Sequence, residues 1–297
     1  MVEMRRMRPW IGTFVEIRAE TDHPHVLSVA VEAAFSAVAR VHALMSFHDA
    51  NSDLSRLNRS ASFGPVMVDQ WTYEVIAAGL RLSERSQGLF DFTVAAQLVA
   101  HGFLPVVAHA LVPDWQASWR DIELCDDRRV YFRRPLWIDL GGIAKGFAVD
   151  QAVAALAANS ARCGTVNAGG DLRVFGDVDQ VIQVRDPSAL QRVGHTLTMR
   201  NAALASSAPY FTSRRHGGRR VSPLINPRDG SSCIRSVSVS VQATDCLHAD
   251  ALTKVVLADP LASQKILKEY GAQALVLEST ARDLQSGGDF RHDRLIV

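Results

Sequence analysis

Apolar residues recur at helical spacing through Val26, Ala30, Ala33, Ala37, Val41 and Leu44, with Glu32 and Arg40 off that stripe. A 3.6-residue period places the six on one side of a cylinder, so the pattern predicts an amphipathic helix over 26–45. The same spacing in Trp71, Val75, Ile76 and Leu80 predicts a helix over 70–86, and in Val149, Ala152, Val153 and Leu156 another over 147–158. From Ser236 to Val241 serine and valine alternate with period two, the mark of a strand with one face buried. Further strands are predicted over 13–18, 129–132, 164–168, 181–185 and 274–278. Residues 92–113 carry no Asp, Glu, Lys or Arg and approach the length that spans a bilayer. Gln97, His101, Gly102, Pro105 and His109 interrupt that run, so it reads as a buried helix followed by a turn, and no transmembrane segment is expected.

Helices and strands are interspersed without regular alternation, which disfavours a doubly wound parallel sheet. The expected class is α+β, mixed sheets with packed helices. No repeat, low-complexity tract or Pro/Gly/Ser-rich linker divides the sequence, so one compact unit over 1–297 is expected. With 297 residues, 47% of them hydrophobic, the chain can bury one large core or two smaller ones. Thirty-two basic residues face thirty-one acidic ones, and a net charge of +1 offers no bulk attraction to nucleic acid or anionic lipid. No nucleic-acid partner is expected, and any anionic ligand needs a local site. Cys125, Cys163, Cys233 and Cys246 are too dispersed for a zinc site or a disulfide scaffold and read as buried thiols. Arg5 and Arg6 run into Pro9 and Trp10 rather than an apolar stretch, so a cytoplasmic location is expected.

The densest chemical signal is IDLGGIAKGFAVD, Ile138 to Asp150. Gly141, Gly142 and Gly146 let a backbone approach a ligand closely, Lys145 offers a positive charge, and a helix N-terminus follows. That set suits a pyrophosphate. The spacing is not that of a P-loop, nor of the dinucleotide fingerprint. Local physics leaves a phosphate cradle and a plain glycine turn equally open.

The same segment strongly resembles the signature of ApbE-type FAD:protein FMN transferases. Other matching segments follow in the family's order: IGTF (Ile11 to Phe14), FHDANSDLSRLN (Phe47 to Asn58), GLFDFTVAAQLVAHGF (Gly88 to Phe103), VNAGGDLRVFG (Val166 to Gly176) and HADALTK (His248 to Lys254). The resemblance implies an ApbE-like flavin transferase fold. It also implies FAD as substrate, a magnesium ion, and a partner protein whose Thr or Ser hydroxyl receives FMN while AMP is released. Position by position it implies flavin-nucleotide contacts from Ile11, Thr13, Phe47, Leu89, Phe90, Asp91, Asp139, Lys145 and Leu224, and metal ligation by Gly142 and Asp250.

Among the departures from the family's pattern, two bear on the metal and on the catalytic base. The family's metal-binding Thr falls where this chain has Lys254, and the nearest hydroxyl, Thr253, is one residue early, a rotation of about 100° on a helix. Thr253 therefore reaches the metal through an adjusted helix, or the Lys254 ammonium takes the ion's place, or Lys254 is merely solvated. In VSPLINPRDG, Val221 to Gly230, Pro223 stands at the family's histidine and cannot accept a proton. The sequence names no catalytic base. His248, two residues before Asp250, is the candidate surrogate, and His216 in a basic loop is another; the plainer reading of each is a surface histidine. An FMN transferase is the leading expectation, with a catalytically silent flavin-binding or flavin-delivery protein, or an FAD pyrophosphatase yielding FMN and AMP, as alternatives.

Overall fold

The computed structural model describes residues 2–187, 191–278 and 293–296. The first half holds β1 (Val2–Trp10), β2 (Thr13–Thr21), α1 (Pro24–Met45), α2 (Asp53–Ser60), β3 (Val66–Met67), α3 (Gln70–Arg85), α4 (Ala95–Ala100), β4 (Ile122–Cys125), β5 (Arg129–Phe132) and α5 (Ala144–Ala158). Then come β6 (Cys163–Ala168), β7 (Asp171–Phe175), β8 (Gln180–Arg185), β9 (Val193–Met199), β10 (Ala203–Ser207), α6 (Pro209–Thr212), β11 (Arg214–His216) and β12 (Arg219–Val221). The chain continues through β13 (Val237–Ala243), α7 (Cys246–Ala258), α8 (Ser263–Glu269), β14 (Gln273–Glu278) and β15 (Asp293–Ile296). The class is α+β. Eight strands form one antiparallel sheet in the order β1-β2-β6-β7-β10-β13-β14-β15.

One face of this sheet carries the larger core, in which Val15, Ile17, Val166, Val239 and Val241 meet the apolar residues of α1, α5 and α7. The helix expected over 26–45 is α1, but its buried face is turned from the expected stripe. Leu27, Val31, Ala34, Phe35 and Val38 are buried, while Val26, Ala33, Ala37 and Leu44 are half-buried at its margin. The helix is apolar over so much of its circumference that periodicity alone poorly fixes its orientation, and the bulkier Leu27 and Phe35 take the interior. Among the described residues α1 is the helix long and apolar enough to cross a membrane by length and composition.

The other face is covered by the β8–β9 hairpin, whose Val184 and Met199 pack with Leu172, Leu204, Leu275 and Leu277. This second layer corrects the reading of the Ser-Val alternation. Both faces of β13 are buried, not one, and Ser240 satisfies its hydroxyl against Ser206 at 2.7 Å. The uncharged run over 92–113 is likewise corrected: its helix is the six-residue α4, and residues 101–113 are irregular and largely half-buried or exposed. Gly102 and Pro105 end the helix early.

Several polar contacts fix the segment that leads into α5. Asn58 accepts from the Ile138 N–H at 2.8 Å and donates to the Ile138 carbonyl at 2.9 Å, so the side chain replaces a strand partner. The Asp139 N–H donates to Phe92 at 2.8 Å. The helix then begins at Ala144, three residues before the expected 147, which brings Lys145 and Gly146 into its first turn. Asp150, further along α5, accepts from the N–H groups of Cys246 and Leu247 at 3.0 and 2.9 Å and thereby holds the N-terminus of α7.

Gly146 is where α5 and α7 touch. A Cβ there would overlap the Cys246 carbonyl oxygen and lie 2.9 Å from Asp250 Cβ. Alanine would gain about 1 kcal/mol of helix propensity, but forcing two backbones apart opposes this more strongly. Gly146→Ala is expected to lower the unfolding free energy by roughly 3 kcal/mol in urea titrations, while Gly64→Ala, with open space around it, leaves stability nearly unchanged. Equal stability of the two variants would contradict the close approach.

Candidate functional site

A cleft of about 990 Å³ opens between the sheet end carrying the glycine turns, the 89–104 segment, and the 206–227 segment. Its floor is the turn Gly141–Gly142 and the start of α5. Gly141 donates its N–H to Asp139 Oδ2 at 3.2 Å, and Gly142 lies alongside the methylenes of Lys254, where an added Cβ would make ordinary contact at 3.5 Å from Lys254 Cε. A second turn, Gly169–Gly170, closes one side. Gly169 has φ +66° and a Cβ there would overlap the Thr13 hydroxyl, so glycine serves both backbone and space. The β1–β2 turn also borders the cleft through Ile11, whose φ of +47° is a left-handed conformation costing a β-branched residue about 1–2 kcal/mol.

Beneath the floor four charges alternate. The Lys145 ammonium pairs with Asp171 and lies 3.8 Å from Asp250 Oδ1. The Lys254 ammonium pairs with the same Asp250 Oδ1 and donates to the Asp250 carbonyl at 3.0 Å. The other oxygen of Asp250 accepts the Gly146 N–H at 3.2 Å. The carboxylates are shut away at 0% and 1% exposure, whereas Lys254 and Lys145 keep 19% and 32%. The cleft therefore meets ammonium groups, with carboxylates behind them.

The electrostatics follow from this order. Burial raises Asp250's pKa, but Lys145, Lys254 and the Gly146 N–H outweigh it and hold the carboxyl below its usual range. Burial would lower the Lys145 ammonium, and the two carboxylates reverse that, holding it above the usual lysine range. Asp171 is pushed up, by burial first and by the neighbouring Asp250 second. At the cleft wall burial raises Asp91 despite bonds from the Thr93 N–H and hydroxyl at 2.8 and 2.7 Å. Burial also lifts Asp139 to about 6, partly offset by the Gly141 N–H, His48 and Lys254.

Of the residues singled out from the sequence, Ile11, Thr13, Leu89, Phe90, Asp91, Asp139, Gly142, Lys145 and Leu224 all line this one cleft. Asp250 and Thr253 lie fully buried just below it. Phe47 does not line the cleft: it is packed in the core at 8% exposure, its loop drawn inward by bonds from Ser52 to Ser46 and from Ser55 to Phe47. His248 is also away from the lining. Its Nδ1 lies 2.8 Å from Asp245, the N-cap of α7, and its ring packs on Tyr270. His216 sits in the exposed β11–β12 hairpin. Pro223 does line the cleft, and no histidine does among the described residues.

Magnesium, which the resemblance implies, does not fit these donors. It needs oxygen ligands in near-octahedral array. Here the Asp250 carboxylate is engaged by two ammoniums and an amide, and the Thr253 hydroxyl turns away to the Asp250 carbonyl and to Ser207, 2.7 Å from each. A divalent ion about 4 Å from an ammonium is opposed by roughly 8 kcal/mol at an effective dielectric near 20.

Asp171 and Asp150 were the residues the motif reading passed over. A signal for the first was present: only four of the 32 basic residues are lysines, so each marks a place where arginine was not used, and Lys145 calls for a carboxylate such as the one after Gly169–Gly170.

The sequence matches the ApbE family over residues 11–276. An FAD:protein FMN transferase of Treponema pallidum is 28% identical, the alignment taking in 96% of this chain and 87% of that protein. One of Vibrio cholerae is 31% identical over 70% of this chain and 66% of its own length. Among solved structures, the ApbE protein of Thermotoga maritima aligns with a TM-score of 0.81 at 27% identity, covering 93% of this chain and 94% of its own. The flavinyl transferase ApbE of Pseudomonas stutzeri shares the fold, with a TM-score of 0.78 at 21% identity, covering 95% and 92%.

Asp139 gives a pH test of the cleft. Its folded pKa lies above the unfolded value, so the folded state binds this proton more tightly. The resulting stability is complete below pH about 4 and is lost as pH rises through about 6. Asp139→Asn cannot ionise, so relative to wild type it gains stability between about pH 4 and pH 7 in urea-unfolding midpoints. A constant difference across that range would contradict the buried environment.

Proposed function

The chain belongs to the ApbE family, and from that membership we propose that it is an FAD:protein FMN transferase. The observation that carries this reading is the cleft itself: apolar walls over a floor of glycine-exposed backbone and two ammonium groups. Such a cleft is of a size to enclose a dinucleotide. Leu89, Phe90, Ile11 and Leu224 offer apolar contact for an isoalloxazine ring, and the Gly141–Gly142 turn with Lys145 and Lys254 suits a diphosphate.

In the reaction, the hydroxyl oxygen of a Thr or Ser on the acceptor protein bonds to the FMN-side phosphorus of FAD. The bond from that phosphorus to the bridging oxygen breaks, AMP departs with that oxygen, and the hydroxyl proton passes to water. Negative charge on the departing phosphate is what Lys145 and Lys254 would offset. The carboxylates lining the cleft are Glu16, Asp91 and Asp139, and Pro223 supplies no base. A loose phosphoryl-type transition state draws chiefly on positioning and charge stabilisation, so transfer with a slow deprotonation step is consistent with this set.

The test is to incubate the full chain with FAD, magnesium and an acceptor, following AMP release and flavin fluorescence that remains on the acceptor after denaturation. AMP together with a fluorescent acceptor is the expected outcome. AMP alone would make the protein an FAD pyrophosphatase, and binding without AMP a flavin carrier; either overturns transfer. Lys145→Met should reduce transfer by roughly a hundredfold.

A further inference from the structure

We propose that Lys254 is a tethered counter-cation for the diphosphate, so that this protein binds FAD without a divalent metal. The inference rests on the FAD reading above and goes beyond it, because it assigns to one side chain a part the resemblance gives to an ion.

Three independent features converge on it. The stem of Lys254 runs alongside Gly142, within ordinary contact distance of where a Cβ would stand there, so the ammonium arrives at the cleft floor from α7. Its nitrogen is held by two oxygens of Asp250, the carboxylate and the backbone carbonyl, which fixes the charge in place instead of leaving it on a flexible arm. Thr253, the nearest hydroxyl that could have ligated a cation, is bonded to the Asp250 carbonyl and Ser207.

The balance of charge supports the same assignment. Lys145 and Lys254 match Asp171 and Asp250 one for one, so the buried carboxylates are neutralised before any ligand enters. With both carboxylates behind the ammoniums, a diphosphate would meet positive charge and glycine-exposed backbone rather than carboxylate oxygens. Magnesium in such a position normally screens carboxylates from phosphates, and here that screening is covalently attached. Lysine also suits the task better than arginine, being a compact point charge with rotatable donors. It is scarce in this chain, where the other 28 of its 32 basic residues are arginine, yet two of its four lysines meet here.

The experiment is calorimetric titration of FAD into the full-length protein, once with excess EDTA and once with magnesium, for wild type, Lys254→Thr and the exposed control Lys265→Thr. Wild type and the control should bind with the same Kd in both buffers. Lys254→Thr should lose about tenfold or more in EDTA and recover with magnesium, since the hydroxyl and the freed Asp250 can then hold an ion. Wild-type binding that requires magnesium would overturn the tethered-cation assignment and leave the FAD reading standing. A Lys254→Thr protein that binds as wild type in EDTA would also overturn it, and circular dichroism of each variant separates loss of binding from loss of fold. No FAD binding by wild type in either buffer would overturn the FAD reading and this inference together.

Discussion

Two carboxylates, Asp250 and Asp171, are removed almost entirely from water, and the structure around the cleft is arranged to make that tolerable. An unpaired buried carboxylate is costly by several kcal/mol, so each must find cations and amide donors nearby. Lys145 from α5 and Lys254 from α7 supply the cations, and the Gly146 N–H supplies the amide. This requires α5 and α7 to approach at backbone distance, which is why position 146 has no side chain. Asp150 reinforces the same contact by capping α7 from α5. The consequence is a floor that presents positive charge outward on rigid elements rather than on loops.

The remaining architecture supplies walls. The antiparallel sheet brings the Gly169–Gly170 turn between β6 and β7, and the β1–β2 turn, to the same end as the Gly141–Gly142 turn. The β8–β9 hairpin covers the sheet face opposite the helices, so even the serines of β13 are inside. Strain at Ile11 and a carboxyl at Asp139 titrating near 6 both fall on the cleft lining, where departures from local optima are most often found.

Much of this was legible in the amino-acid order, and the exceptions have physical reasons. The Ile138 to Asp150 segment left a phosphate cradle and a plain glycine turn equally open on local physics, and its resemblance to a family signature decided between them, while α3 and the strand over 129–132 follow directly from periodicity. The buried face of α1 is not fixed by periodicity because its many alanines make the apolar arc too broad to centre. β1 gives no strand signal because Arg5, Arg6 and Arg8, charged residues of the kind that protect an edge strand, mask alternation. Phe47 and His248 lie outside the cleft lining for a shared reason: a motif fixes which residues occur, while the caps at Ser52 and Asp245 decide where the neighbouring side chains go. The lysine at position 254 was visible as an oddity, and only the pairing with Asp250 gave it a place.

The most direct test is a crystal structure of the protein soaked or co-crystallised with FAD. The diphosphate is expected within hydrogen-bonding distance of both the Lys145 and Lys254 ammoniums and of the backbone at Gly141–Gly142, with the isoalloxazine ring against Leu89, Phe90 and Leu224. FAD seated with its phosphates remote from both lysines would contradict the site described here.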